Sequence, residues 1–144
     1  MARRIPIIQL YGALIVSIQV DLSDELVVEL RDNIAAEICR REVNGLVIDV
    51  SGVEVFDSFI SRAIQKIAQV ANLMGVHTVL AGLDAAIAIT LVEMGVSMEG
   101  VGCSLNLEAA LDSLALRDKR ERLDLDELLG LGTTKTGQLP GLAP

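Results

Sequence analysis

The chain opens with two short apolar, β-branched runs, "IPIIQL" (5–10) and "LIVSIQV" (14–20), separated by Tyr11-Gly12-Ala13. Such a pattern predicts two antiparallel strands joined by a tight hairpin. Pro6 cannot donate to a ladder, which places the first strand at a sheet edge. In "SDELVVELRDNIAAEICRRE" the stripe Leu26, Leu30, Ile34 and Ile38 recurs every fourth residue, the spacing of an amphipathic helix. Ser23 suits its N-cap, Asp24 and Glu25 its positive end, Arg40 and Arg41 its negative end, and Asn44-Gly45 a left-handed stop.

"LVIDV" (46–50) is nearly continuous in apolar residues, as expected of a central strand covered on both faces. A helix over about 58–74 follows, its buried stripe supplied by Ile60, Ala63, Ile64, Ile67, Ala71 and Met74 and its end by Gly75. Then come a strand at 77–82, a helix at 85–95 stopped at Gly95, a short edge strand near 97–103, and a C-terminal helix from Asn106 to about residue 129. Strands joined by helical crossovers run parallel. The prediction is an α/β fold: a mixed sheet of four to five strands, one N-terminal antiparallel pair and the rest parallel, with about four helices.

The 144 residues suit one domain over 1–116, then a helical extension over 117–129. From residue 130, "GLGTTKTGQLPGLAP" lacks apolar periodicity and is expected to be a disordered tail.

A formal charge of −8 excludes the clustered cations that nucleic-acid binding requires, and predicts an acidic surface suited to basic partners. Cys39 and Cys103 belong to no C-x-x-C and are expected to be reduced thiols. His77 is the single histidine, so no metal site and no histidine-based catalytic constellation is expected. There is no secretory h-region after Met1-Ala-Arg-Arg, and no stretch of about 18 uninterrupted apolar residues. A soluble, cytoplasmic protein without membrane attachment is the expectation.

Cofactor motifs also fail. "GLGTTKTGQL" imitates a phosphate-binding loop, but Gln138-Leu139 stand where Lys and Ser or Thr are needed, and no dinucleotide fingerprint follows a strand. Asp49 ends a central strand, where receiver domains accept phosphate, yet the first strand leads into Tyr-Gly-Ala instead of the acidic pair that holds Mg²⁺. Asp49 is better explained as bonding loop amides. The chain thus has no visible catalytic equipment and no cofactor, and reads as an interaction module; a small-ligand sensor, with a nucleotide or lipid near 51–57 and 82–86, is the other reading open to it.

One stretch remains, "EVFDSFISRA" (54–63), where a loop becomes a helix. Either Asp57 or Ser58 can serve as N-cap; if Asp57 caps, the Ser58 hydroxyl is free to face solvent. A phosphoryl group on Ser58 would be stabilised by the helix dipole and free amides and repelled by Glu54 and Asp57. It would add roughly −1.5 to −2 charges, enough to alter a docking face without refolding the domain.

"VIDVSGVEVFDSFISRAI", followed about 20 residues later by "VHTVLAGLDAAIAITLVEMGV", resembles the STAS domains of bacterial anti-sigma-factor antagonists over about residues 5–116. Within that family it looks most like the RsbS-type scaffold of the stressosome, with simple antagonists that bind an anti-sigma kinase directly as the alternative. The resemblance implies that Ser58 is phosphorylated by an RsbT-type switch Ser/Thr kinase, which the unphosphorylated scaffold sequesters in a large assembly with RsbR-type STAS co-scaffolds. A dedicated phosphatase resets it. Glu54, Asp57 and Phe59 would flank Ser58 in the docking surface, and Thr90 lies where RsbR-type relatives carry a second phosphorylatable threonine.

Overall fold

The computed structural model describes residues 5–19 and 21–130. The predicted tail therefore lies, apart from Gly130, outside the described residues. The chain divides into two units, the first ending at Leu114 and the second beginning at Ala115.

The first unit holds β1 (Ile7–Leu10), β2 (Ala13–Ser17), α1 (Asp24–Arg40), β3 (Gly45–Asp49), α2 (Ser58–Leu73), β4 (His77–Ala81), α3 (Ala85–Glu93) and β5 (Val101–Ser104). A last helix, α4 (Leu107–Leu129), begins in this unit and ends in the second. The sheet order is β1-β2-β3-β4-β5, with β1 antiparallel to β2 and all other neighbours parallel. The α/β mixed sheet predicted from the hydrophobic pattern is the observed one, with β1 at an edge and β3 in the middle.

The hairpin closes through Tyr11 and Gly12, both at positive φ (51° and 79°), the backbone of a type I′ turn whose twist matches that of the flanking strands. Each later strand lies one place further across the sheet. Right-handed crossovers in one direction put α1, α2 and α3 on one face. There Leu30, Ile34, Ile64, Ile67 and Leu91 pack with Leu14, Val16, Leu46, Ile48 and Leu80. The opposite face, made by Ala13, Ile15, Val47, Val79 and Ala81, is covered by Ala110 and Leu114 of α4. Truncating one of the large residues in either layer to alanine costs about 2–5 kcal/mol.

Three expectations need correction. β2 stops at Ser17 instead of continuing to residue 20, whereas α3 ends at Gly95 as expected, with Glu93 its last helical residue, Met94 its C-cap and Gly95 at φ 69°. α1 buries Val27, Leu30 and Ile34, while Leu26 and Ile38 of the predicted stripe are only partly covered. Its left-handed stop is absent: Arg41 caps it in an extended conformation, and Gly45 is the first residue of β3. The glycine at 45 answers a packing need, because a Cβ there would lie 2.6 Å from two Leu114 methyl carbons.

Candidate functional site

β2, β3 and β4 are parallel, so their carboxyl ends share one edge of the sheet, where ligands and partners meet α/β folds. The loops leaving that edge lead to the N-termini of α1, α2 and α3. All three starts are capped by side chains: Ser23 Oγ accepts the amide of Leu26 at 3.1 Å, Asp57 Oδ1 that of Ile60 at 2.9 Å, and Asp84 Oδ1 that of Ile87 at 2.7 Å. Asp49, at the end of β3, accepts the amide of Ser51 at 3.0 Å, the local loop-bonding role expected of it.

At α2 the choice of cap falls to Asp57, and Ser58 becomes the first helical residue. Ser58 is exposed, and its hydroxyl makes no hydrogen bond among the described residues. The next serine behaves differently. Ser61 is buried, with 1% of its surface exposed, and its hydroxyl donates to the Asp57 carbonyl at 3.0 Å. One hydroxyl of this turn is thus available and the other is consumed by the fold.

Sequence reasoning did not single out Ser61 or Arg62. The Arg62 side chain is exposed, and its Nε donates to the Ser58 carbonyl at 3.3 Å, which holds a cation one turn along from the Ser58 side chain. The spacing i, i+4 could have found it. Burial of Ser61 could be suspected only from its place between Ile60 and Ala63–Ile64 on the apolar side of the helix.

Beside Ser58 lies an open groove of about 550 Å³. The β2–α1 loop contributes Gln19, Asp21 and Leu22, and the approach to α2 contributes Glu54, Asp57 and Phe59. Among the described residues three carboxylates and no cation line it, so it suits a basic surface. The structure thus brings Glu54, Asp57 and Phe59 together next to Ser58. Thr90 is on α3, outside the groove lining; it is exposed, and its hydroxyl donates to the Ala86 carbonyl at 2.8 Å, the preceding-turn bond that helical threonines commonly form.

Among the described residues no group of His, Cys, Asp and Glu side chains could hold a metal ion, and no helix is long and apolar enough to cross a membrane. Cys39 and Cys103 are free thiols. Burial pushes the Cys103 thiol above its ordinary pKa, away from the thiolate form a nucleophile needs.

A mixed sheet with side-chain-capped helix starts along one edge, and a serine hydroxyl at the start of α2 that makes no hydrogen bond among the described residues, is the frame of a small α/β domain. The chain belongs to the STAS domain family, whose model matches residues 4–112. It is similar to Moorella thermoacetica RsbS bearing the substitution S58E, with 35% identity, a TM-score of 0.69, and coverage of 81% of this chain and 99% of that one. A chain in a structure of the stressosome, described there as a signal integration and transduction hub, is 37% identical with a TM-score of 0.69, over 78% of this chain and 98% of that one. The RsbT co-antagonist protein RsbRB of Bacillus subtilis (strain 168) is 33% identical over 92 residues, which is 64% of this chain. The present chain spans only 33% of that longer relative.

Proposed function

We propose that this chain is a phosphorylation-controlled scaffold of the stressosome type, which sequesters an RsbT-type Ser/Thr kinase and releases it when Ser58 is phosphorylated. The observation that carries the proposal is the position of Ser58: exposed, with no hydrogen bond from its hydroxyl among the described residues, and presented by an Asp57-capped helix beside an acidic groove. Likeness to RsbS and to a stressosome chain over nearly their full lengths supports the scaffold role, and the named co-antagonists support RsbR-type STAS proteins as its co-scaffolds. The S58E form of the Moorella relative replaces a hydroxyl by a carboxylate, the same direction of charge change as phosphorylation.

The chemistry belongs to the kinase. Ser58 Oγ attacks the γ-phosphorus of ATP, its proton passes to the kinase's base, and ADP leaves. The product adds roughly −1.5 to −2 charges to the one residue that had entered a pocket already holding nucleotide phosphates. Like-charge repulsion then ejects the scaffold, and a dedicated phosphatase restores it by hydrolysis. Glu54, Asp57 and Phe59 form the adjoining docking surface, and Thr90 is a second, subordinate phosphorylation site. A ligand-sensing role has less support, because a groove lined by three carboxylates repels the phosphates of a nucleotide or an anionic lipid.

Calorimetric titration of the kinase, loaded with a non-hydrolysable ATP analogue, into the Ser58→Ala and Ser58→Asp chains tests the proposal. Retention by Ser58→Ala and at least about tenfold weaker binding by Ser58→Asp is expected. Equal affinities would refute release by charge at Ser58; binding only to an anti-sigma kinase would favour the simple antagonist.

A further inference from the structure

The second unit contains the distal part of α4, beyond the residues that the STAS family model matches. A lone helix of this length is marginal in water. Its surface chemistry is divided along the axis. Arg117 pairs with Glu121 at 3.1 Å and Arg122 with Asp118 at 3.2 Å, so these four charges are satisfied within the helix. Lys119 and Arg120 toward one end, and Asp124, Asp126 and Glu127 toward the other, form no ion pair among the described residues.

At 3.6 residues per turn, Leu116 and Leu123 lie two turns apart on one stripe. They are 62% and 58% exposed. Lys119 and Arg120 flank that stripe within about 60° on either side, and Glu127 falls on it. The Arg117–Glu121 and Arg122–Asp118 pairs lie on other arcs. Lys119, Arg120 and Glu127 therefore border Leu116 and Leu123, while the other exposed leucines of the segment, Leu125, Leu128 and Leu129, lie on other arcs.

We propose that this segment pairs antiparallel with the same segment of a second copy, about a two-fold axis near Leu123. That arrangement sets Leu123 against its own counterpart, Lys119 against Asp126 and Arg120 against Glu127 of the second copy, each contact occurring twice by symmetry. Parallel pairing would instead set Lys119 beside Arg120 and Asp126 beside Glu127. The charge order selects the antiparallel form. The surface is distinct from the groove at Ser58 and independent of the kinase proposal, and it would give the STAS domain an additional link between copies.

The test uses the full chain with Cys39→Ser and Cys103→Ser, carrying either Leu123→Cys or Leu128→Cys, and a short bismaleimide cross-linker. Cross-linked dimer through position 123 and little through 128 is expected. In parallel, sedimentation analysis of Lys119→Glu/Arg120→Glu should show about tenfold weaker self-association, and adding Asp126→Lys/Glu127→Lys should restore it. Equal cross-linking at 123 and 128, no cross-linking at 123, or a charge swap that fails to restore association would overturn the antiparallel pair. The swap keeps the test decisive if a single variant merely weakens the helix.

Discussion

The carbonyl oxygen of Asp57 accepts the hydroxyl of Ser61 at 3.0 Å, while the carboxylate of the same Asp57 accepts the amide of Ile60 at 2.9 Å. One aspartate therefore closes the first turn of α2 in two ways and leaves Ser58 outside both. The availability of Ser58 is a consequence of what its neighbours bond to.

The two serines should respond oppositely to added charge. Ser61→Asp buries a carboxylate at a site with 1% exposure and should cost about 3 kcal/mol or more. Ser58→Asp puts its charge in water at a positive helix end and should change stability by no more than about 0.5 kcal/mol. Urea unfolding of both variants checks this; similar losses would contradict the assigned environments.

Asp57→Ala should cost about 1 kcal/mol, the usual loss of a side-chain cap, and Asp57→Asn should recover most of it. Ser58→Ala should be nearly neutral. Denaturation midpoints separate the two; if Ser58→Ala proved the costlier, the cap would lie at 58.

Gly45→Ala forces a methyl toward Leu114 and should destabilise by about 1–3 kcal/mol. Leu114→Ala in the same chain should relieve part of that penalty, so the two changes should couple by more than about 0.5 kcal/mol in a double-mutant cycle. Strict additivity would show that α4 does not press on β3 at this point.

Gly45 also shows where sequence reading stops. "NG" after a helical stripe carries the local signature of a helix stop, and nothing nearby reveals that Leu114, far along the chain, occupies the space of a side chain. By contrast the strands and helices were legible because periodicity is local: Leu30 and Ile34, or Ile64 and Ile67, declare their faces by spacing alone. At the candidate site, "DSF" marked a helix start, and Asp57 and Ser58 were both chemically suited to cap it. Only the hydrogen bonds distinguish them, since capping depends on backbone angles that composition does not encode. The fate of Ser61 depended on the neighbouring sheet, and the acidic groove depended on Asp21 arriving from a separate loop.

That groove gives a prediction for binding. Glu54→Lys reverses a charge on the lining beside Ser58 and should weaken kinase retention by about tenfold at low salt, with the difference shrinking as ionic strength rises. Titrations at two salt concentrations check it. An unchanged affinity would move the docking surface away from the groove.

The most direct measurement is site mapping by mass spectrometry after the purified chain is incubated with ATP and an RsbT-type kinase from the same organism. The account predicts stoichiometric phosphate on Ser58, none on buried Ser61, and loss of the dominant phosphopeptide in Ser58→Ala. A kinase that is active on another substrate yet leaves Ser58 unmodified would contradict it.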